Sequence, residues 1–437
     1  MDESLVRACC ALRRELHAHP EAGFEETWTQ ARLRAALVDI AGVDAAAIAP
    51  CARTGLVVDI DGPGAPARRI ALRADMDALR MQEANPRLPY RSARDGFAHM
   101  CGHDGHMAGL VLAAALLARR RDRLPPDAGV RLLFQPAEEG GRFEAGWRHG
   151  GALPMIRGGA LDGVDEIYGL HNLPTAPVGA VRVKAGAVMG RSSELRISVT
   201  GAGGHRRGHA SQPHNGVDPV VAGAHVVAAL QTVVSRNVPA AESAVVSVTN
   251  FHAGSGALNV IPDAALLTGT IRDFDDGVFE TVKSAVTRVV EGTCAALGAT
   301  ATVEIATKYP PVVNYKEGAA AVARAAAREG RDVDLDDGLP LLAGEDFSYF
   351  LRPQDGGLAR GAFFFVGAAE ERYAGHASID LETPGAFADA GAACRSNCTL
   401  HSTSFDFNDN ALPVAAAMFV RLVEDRLGAE LYPEDLR

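Results

Sequence analysis

Hydrophobic and polar positions alternate along this chain in two distinct textures. In residues 4–18 and 27–39 the apolar side chains recur at helical spacing, with Leu5, Cys9, Leu12 and Leu16 on one stripe of the first, so both segments read as amphipathic helices. Two β-like runs follow, GLVVDIDG at 55–62 and RIALRADMDAL at 69–79, and then a helix-forming run, MAGLVLAAALLARRR, that begins at Met107. GVRLLFQ from Gly129 and EIYGLHNLP from Glu166 read as buried strands that break into polar loops. Strands alternating with helices predict an α/β domain with a mostly parallel sheet. From about residue 191 the texture changes: ELRISVTG, SAVVSVTNFHAG and AALLTGTIRDFD alternate well, interleaved with helices at 217–235 and 277–297 and a last strand at 300–306. That stretch predicts an α+β unit with an antiparallel sheet, residues 191–306, inserted into a domain made of 1–190 and 307–437. The α/β pattern resumes with a helix at 317–329, the strand GAFFFVG and an amphipathic helix at 410–428; residues 368–397 read as a loop insertion.

Length supports this division, since 437 residues exceed what one compact core holds. The composition, 47% hydrophobic and 22% charged, is that of a globular protein, and the net charge of -11 argues against a nucleic-acid partner. No apolar run approaches the length of a membrane span, and MDESLVRACCALRREL has none of the features of a secretory signal. Seven cysteines, scattered and odd in number, suit a reducing, cytoplasmic compartment; Cys394 and Cys398 read as free thiols in a loop.

Candidate chemistry concentrates in HMCGHDGH, residues 99–106. A thiolate and neutral imidazoles are ligands that zinc prefers, and Gly102 and Gly105 let the backbone fold closely around an ion. Asp75 and Asp77, Glu138 and Glu139, and His171 all fall at predicted strand ends, where ligands of parallel sheets collect. One carboxylate of the Asp pair would stand behind a metal-bound histidine and fix its ring. Cys101, His103, Glu139, His171 and His401 form the candidate ligand set, more than one catalytic zinc takes, which fits two metals bridged by Cys101. In an extended loop neighbouring side chains point opposite ways, so Glu139 can bind metal while Glu138 acts as a base toward water. TGAGGHRRGH has the wrong glycine spacing for a dinucleotide loop, and Ser211 in GHASQPH lies outside any nucleophile elbow.

With these residues assembled, the chain resembles the dinuclear metal aminoacylase/carboxypeptidase family, in its branch of hippurate hydrolases, N-acyl-L-amino-acid amidohydrolases and plant auxin-conjugate amidohydrolases. The resemblance rests on RRELHAHPEAGFEE, ALRADMDAL, HMCGHDGHMA, FQPAEEGG, IYGLHNLP, GHASQPHNGVDPV, ALNVIPDAALLTGTIRDFD, AGEDFSYF and LHSTSFDFNDNAL, in family order along nearly the whole chain. It implies a catalytic α/β domain interrupted by a lid or dimerisation domain, and a homodimer formed through that insertion. It also implies two divalent ions, zinc first, with manganese, cobalt or nickel as alternatives. The ions would be held by Cys101, His103, Glu139, His171 and His401, with Glu138 as general base and Asp77 orienting a ligand. His209 would polarise the scissile carbonyl, and Asn259 and Arg272 would hold the substrate carboxylate. The expected reaction is hydrolysis of the amide of an N-acyl amino acid.

The pattern departs from the family in four places. HRRG at 205–208 makes His205 an alternative to His209, RFEAGWRHG at 142–150 lengthens the loop after Glu139, the 368–397 stretch is longer than usual, and Asn408-Asp409 stands where the family often shows Asn-Glu. Two other readings are an aminopeptidase or dipeptidase, which would show a group recognising a free α-amine, and a non-catalytic relative, which would lack Glu138 or a ligand.

Overall fold

Eight strands form the larger sheet, in the spatial order Ile48–Cys51, Gly55–Asp61, Ala128–Gln135, Arg68–Asp75, Glu166–Pro177, Gly361–Ala369, Val181–Arg182 and Val333–Asp334. The four central strands are parallel to one another, the next strand on each side joins them antiparallel, and the outermost pairs are antiparallel on one side and parallel on the other. Parallel strands are covered on both faces, so their sequences read as continuous apolar runs. Ala128–Gln135 and Gly361–Ala369 are accordingly buried at every position. This computed structural model describes residues 1–86, 88–144, 147, 149–201, 208–334, 338–369, 399–433 and 436. His205, the thiols Cys394 and Cys398, and the insertion from residue 370 onward lie outside them.

Helix His103–Arg119 is the most deeply buried, with every residue from His103 to Leu117 inside the core. It touches the helices Glu3–Ala18 and Ala411–Leu427 as well as the strand Arg68–Asp75. The apolar pattern alone places its start at Met107, whereas the helix begins four residues earlier. Gly102 makes the turn with φ +94, and its carbonyl accepts the N–H groups of Gly105 and His106 at 2.9 and 3.1 Å. His, Asp and Gly add nothing to an apolar stripe, so the first turn is invisible to periodicity. The strand expected over 69–79 ends at Asp75, because the next donors pair elsewhere: Ala78 N–H with Glu21 O, and Leu79 with Ala98.

The chain divides into two compact units, Met1–Val188 with Val313–Leu339 and Asp346–Arg437, and Met189–Val312 with Pro340–Glu345. In the second, four antiparallel strands lie in the order Ala244–Ala253, Ala264–Asp273, Ser192–Thr200 and Thr300–Tyr309. Helices Pro219–Asn237 and Asp276–Ala296 bury Val226, Leu230, Val282 and Val286 with Ile197 and Leu267 of the sheet. Each starts at an aspartate cap, Asp218 and Asp275, whose carboxylate accepts the free N–H groups of the first turn. The architecture is thus α/β with a large, mostly parallel sheet and a further antiparallel α+β unit. No helix among the described residues is long and apolar enough to cross a membrane.

Candidate metal centre

Three strands, one helix and one loop deliver the candidate side chains of the first unit. Asp75 ends the strand Arg68–Asp75, and Asp77 follows two residues on; both are buried. Cys101 and His103 straddle Gly102 at the helix start, and Glu138 and Glu139 follow the strand Ala128–Gln135. His171 sits inside a strand that continues to Pro177 rather than at its end, because the neighbour Gly361–Ala369 keeps pairing past it. On its other side the last pair with Arg68–Asp75 is Arg73 with Gly169, so His171 lies two residues past it, level with Asp75 at that strand's end. His401 lies in the loop before the last helix, and its N–H donates to Met100 O at 2.8 Å, which ties this loop to the residue before Cys101.

The resulting cluster offers two overlapping triads. Ligand atoms of Cys101, His103 and His171 lie within 4.8 Å of one another, and so do those of Cys101, Glu139 and His401. Cys101 belongs to both. Its Sγ stands 3.3 Å from His171 Nε2, and Glu139 Oε1 stands 2.9 Å from His401 Nε2.

The chemistry of these donors fits divalent metal. His171 turns Nδ1 toward the Asn172 carbonyl at 2.9 Å, which assigns the proton to Nδ1 and leaves the Nε2 lone pair facing Cys101. Burial pulls its pKa down to about 3, so the ring is neutral, as a ligand must be. His103 likewise directs Nδ1 to Asp77 O at 2.9 Å, and its Nε2 is buried with no hydrogen-bond partner. Burial pushes the Cys101 thiol well above its ordinary range, and a cation is what stabilises a thiolate there.

A shell of buried polar groups orients these residues. Asp77 accepts the backbone N–H of Glu138 at Oδ1 (3.0 Å) and that of Glu139 at Oδ2 (2.9 Å), so a single carboxylate holds both glutamates in register. Glu138 itself is buried, and its Oε1 accepts the Asp346 N–H at 3.4 Å. Burial opposes the charge on Asp75, yet His103, Arg73 and His106 together hold its carboxyl well below the usual carboxylate range.

Several of these groups escaped the sequence reading. His106, one helical turn after His103, stands 2.6 Å through Nδ1 from Asp75 Oδ1 and 2.7 Å through Nε2 from Asn172 Oδ1. Arg73 is completely buried and donates to Gln135 (2.8 Å), Asp75 (2.7 Å) and Asp346 (3.3 Å). For His106 the available signal was its spacing of three from His103, which puts both on one helix face. For Arg73 it was a cation set between Leu72 and Ala74 in the apolar stretch of its strand.

In the second unit, His209 pairs with Val260, and Ala210 N–H donates to Asn259 O at 3.0 Å, so His209 and Asn259 are neighbours. His209 Nδ1 lies 2.6 Å from the Ser211 hydroxyl. Arg272 is half-buried on the strand Ala264–Asp273, where it donates to Ile271 O at 3.1 Å.

Comparison with known proteins places the chain in a family. The chain is 40% identical over 358 residues to an N-acetyl-L-cysteine deacetylase of Bacillus subtilis, covering 82% of this chain and 80% of that protein. It is 32% identical over 415 residues to a hippurate hydrolase of Campylobacter jejuni, covering 94% of each. A solved Bacillus subtilis structure described as a dinuclear metal binding peptidase from the M20 family superposes with a TM-score of 0.76 at 30% identity, covering 98% of this chain and all of that one. The family model described as peptidase family M20/M25/M40 matches residues 71–383, and the chain belongs to that family.

Proposed function

We propose that this protein is a two-metal amidohydrolase that cleaves the amide bond of N-acyl amino acids, releasing a carboxylic acid and a free amino acid. The observation that carries the reading is the pair of donor triads sharing Cys101, beside two glutamates held by Asp77. Relatives named for deacetylation of N-acetyl-L-cysteine, hydrolysis of hippurate and hydrolysis of N-acyl-L-amino acids support the substrate class.

Cys101, His103, Glu139, His171 and His401 would hold the two ions, Cys101 being the residue that belongs to both triads. When bound, two divalent ions lower the pKa of water and polarise the scissile carbonyl. Glu138, the glutamate left free of metal, takes the proton of the attacking water and hands it to the departing amine nitrogen. Asp77 fixes the direction in which both glutamates leave the backbone and orients the His103 ring. We assign to His209 a hydrogen bond to the developing oxyanion, and to Asn259 and Arg272 the grip on the substrate carboxylate, for which a planar guanidinium is suited.

Zinc is the metal of first choice for a site with a thiolate, with manganese, cobalt and nickel as alternatives. The second unit acts as lid and as the surface of a homodimer; at its sheet edge, the strand Ala244–Ala253 leaves Phe251 exposed. Free thiols at Cys9, Cys10, Cys51, Cys101 and Cys294 suit a cytoplasmic location.

Purified protein assayed on N-acetyl, N-benzoyl and indole-acetyl amino acids, with a free dipeptide as control, tests the reading. Hydrolysis of an acylated substrate is expected. In Glu138→Gln, metal content stays at the wild-type level while turnover falls by about 10²–10⁴-fold. Cleavage of the dipeptide alone, or a Glu138→Gln variant with most of its activity left, refutes it.

A further inference from the structure

Three consecutive backbone N–H groups, those of Ala137, Glu138 and Glu139, are taken up by two buried carboxyl groups from separate parts of the chain. Asp77 accepts the second and third. The first donates to Glu26 Oε1 at 2.9 Å, and Glu26 Oε2 accepts the Thr54 hydroxyl at 2.6 Å. Glu26 has no exposed surface, and Thr54 has almost none.

The position is an unusual one for a carboxyl. Glu26 stands at the N-cap of helix Thr27–Asp39, yet its side chain makes no capping bond and reaches instead into the interior. Burial, reinforced by the nearby charge of Asp77, pushes its pKa up to about 8. A carboxyl placed at such a cost, with no cation paired to it among the described residues, calls for a role that its hydrogen bonds define.

What those bonds hold is a strained turn. Ala137 has φ +54, the left-handed region that residues with a Cβ rarely occupy. The loop that carries Glu26 is locked against this turn. A Cβ on Gly23 would lie 2.4 Å from Gly140 O and 2.7 Å from Ala137 Cβ, and Gly23 forms a bridge with Gly141. The same loop is anchored from behind, where Glu21 Oε2 accepts the Thr29 N–H at 2.8 Å. Glu26 therefore reaches the Ala137 peptide from a fixed base. Rotation of that peptide would swing the two residues after it.

We propose that Glu26 is a positioning residue: by accepting the Ala137 N–H it holds the left-handed turn that aims Glu139 at the metal and Glu138 at the water. This rests on the assignment of Glu139 as ligand and Glu138 as base. Nothing in the reaction passes through Glu26 itself.

The test uses the full chain carrying Glu26→Ala or Glu26→Gln. Glutamine keeps an oxygen for the Ala137 N–H and an amide donor for the Thr54 hydroxyl; alanine keeps neither. Chelator-treated protein is titrated with zinc by calorimetry, and kcat, KM and melting temperature are measured on the reloaded enzyme. In Glu26→Ala, zinc affinity falls about 10–100-fold, the range for removing a group that orients a ligand. Its kcat falls by a similar factor, with KM changed less than about threefold, while Glu26→Gln stays within about threefold of wild type in all three. If Glu26→Ala does not fold, Glu26→Asp, whose carboxyl is one methylene short of the Ala137 N–H, carries the same expectation. A variant that melts earlier but binds zinc and turns over like wild type overturns the proposal, and so does Glu26→Gln as impaired as Glu26→Ala. The zinc titration decides the matter whichever amide is the substrate, so failure of the substrate reading and failure of this one are separate results.

Discussion

Replacing Arg73 by methionine exposes how the floor of the metal centre is held. The guanidinium is wholly buried and bonds Asp75 at 2.7 Å and Asp346 at 3.3 Å, both of them also buried. Asp346 has other donors, Gln135 Nε2 at 2.7 Å and the Ala152 N–H at 3.0 Å, but neither carries charge. Methionine fills a similar volume and removes only the cation, so that Asp75 and Asp346 lose the guanidinium that both of them bond in the interior. Breaking a buried ion pair from one side costs about 3–5 kcal/mol. That is a large share of the roughly 5–15 kcal/mol that holds a typical protein folded.

The assay is urea unfolding of metal-free protein, compared with the double variant Arg73→Met/Asp346→Asn, in which one of the two carboxylate charges is removed and part of the loss returns. The pH dependence has a definite sign. Asp75 is depressed well below the ordinary carboxylate range, so its contribution is present above the unfolded pKa and lost as pH falls through the lower folded value. The gap between wild type and Arg73→Met is therefore widest near neutrality and narrows on acidification below about pH 4. A loss under about 1 kcal/mol, or a gap that widens in acid, would refute the reasoning.

Two more perturbations probe the same surroundings. His17 is buried, and although burial opposes its charge, Asp104 at 2.9 Å and Glu83 at 3.4 Å raise its pKa to about 9. A raised histidine stabilises most below its unfolded pKa near 6.5, and the gain is lost as pH rises through about 9; the shift corresponds to about 3 kcal/mol. His17→Gln should flatten this decline in a pH series of unfolding curves, and an unchanged slope would count against it. His106→Leu leaves every proposed ligand in place but takes from Asp75 a partner at 2.6 Å, so zinc affinity measured by competition with a chelator should drop about 10–100-fold.

Much of this architecture can be read from the residues because burial on both faces writes itself into composition. GAFFFVG is an uninterrupted apolar run and GVRLLFQ is broken only by Arg131 before its final Gln135, whereas ELRISVTG alternates, and the two textures correspond to a parallel and an antiparallel sheet. Boundaries were less legible. The His103 helix starts in a polar turn whose Gly102 supplies the geometry, and the Glu166 strand runs on because its neighbour keeps supplying hydrogen-bond partners. Within the candidate site, cysteine, histidine and paired glutamates advertise themselves by residue type. Arg73, Gln135, Asp346 and Glu26 do not, since their roles arise from distant segments meeting: Gln135 and Asp346 are 211 positions apart, and Glu26 and Ala137 are 111. Local spacing cannot encode such pairs.

The central claim is that two ions sharing Cys101 make this chain a hydrolase of N-acyl amino acids. It is tested most directly by adding zinc stepwise to chelator-treated protein while following hydrolysis of an N-acetyl amino acid. The account predicts no turnover without metal and a plateau at two equivalents per chain. Full activity in the stripped protein, or a plateau at one equivalent, would contradict it.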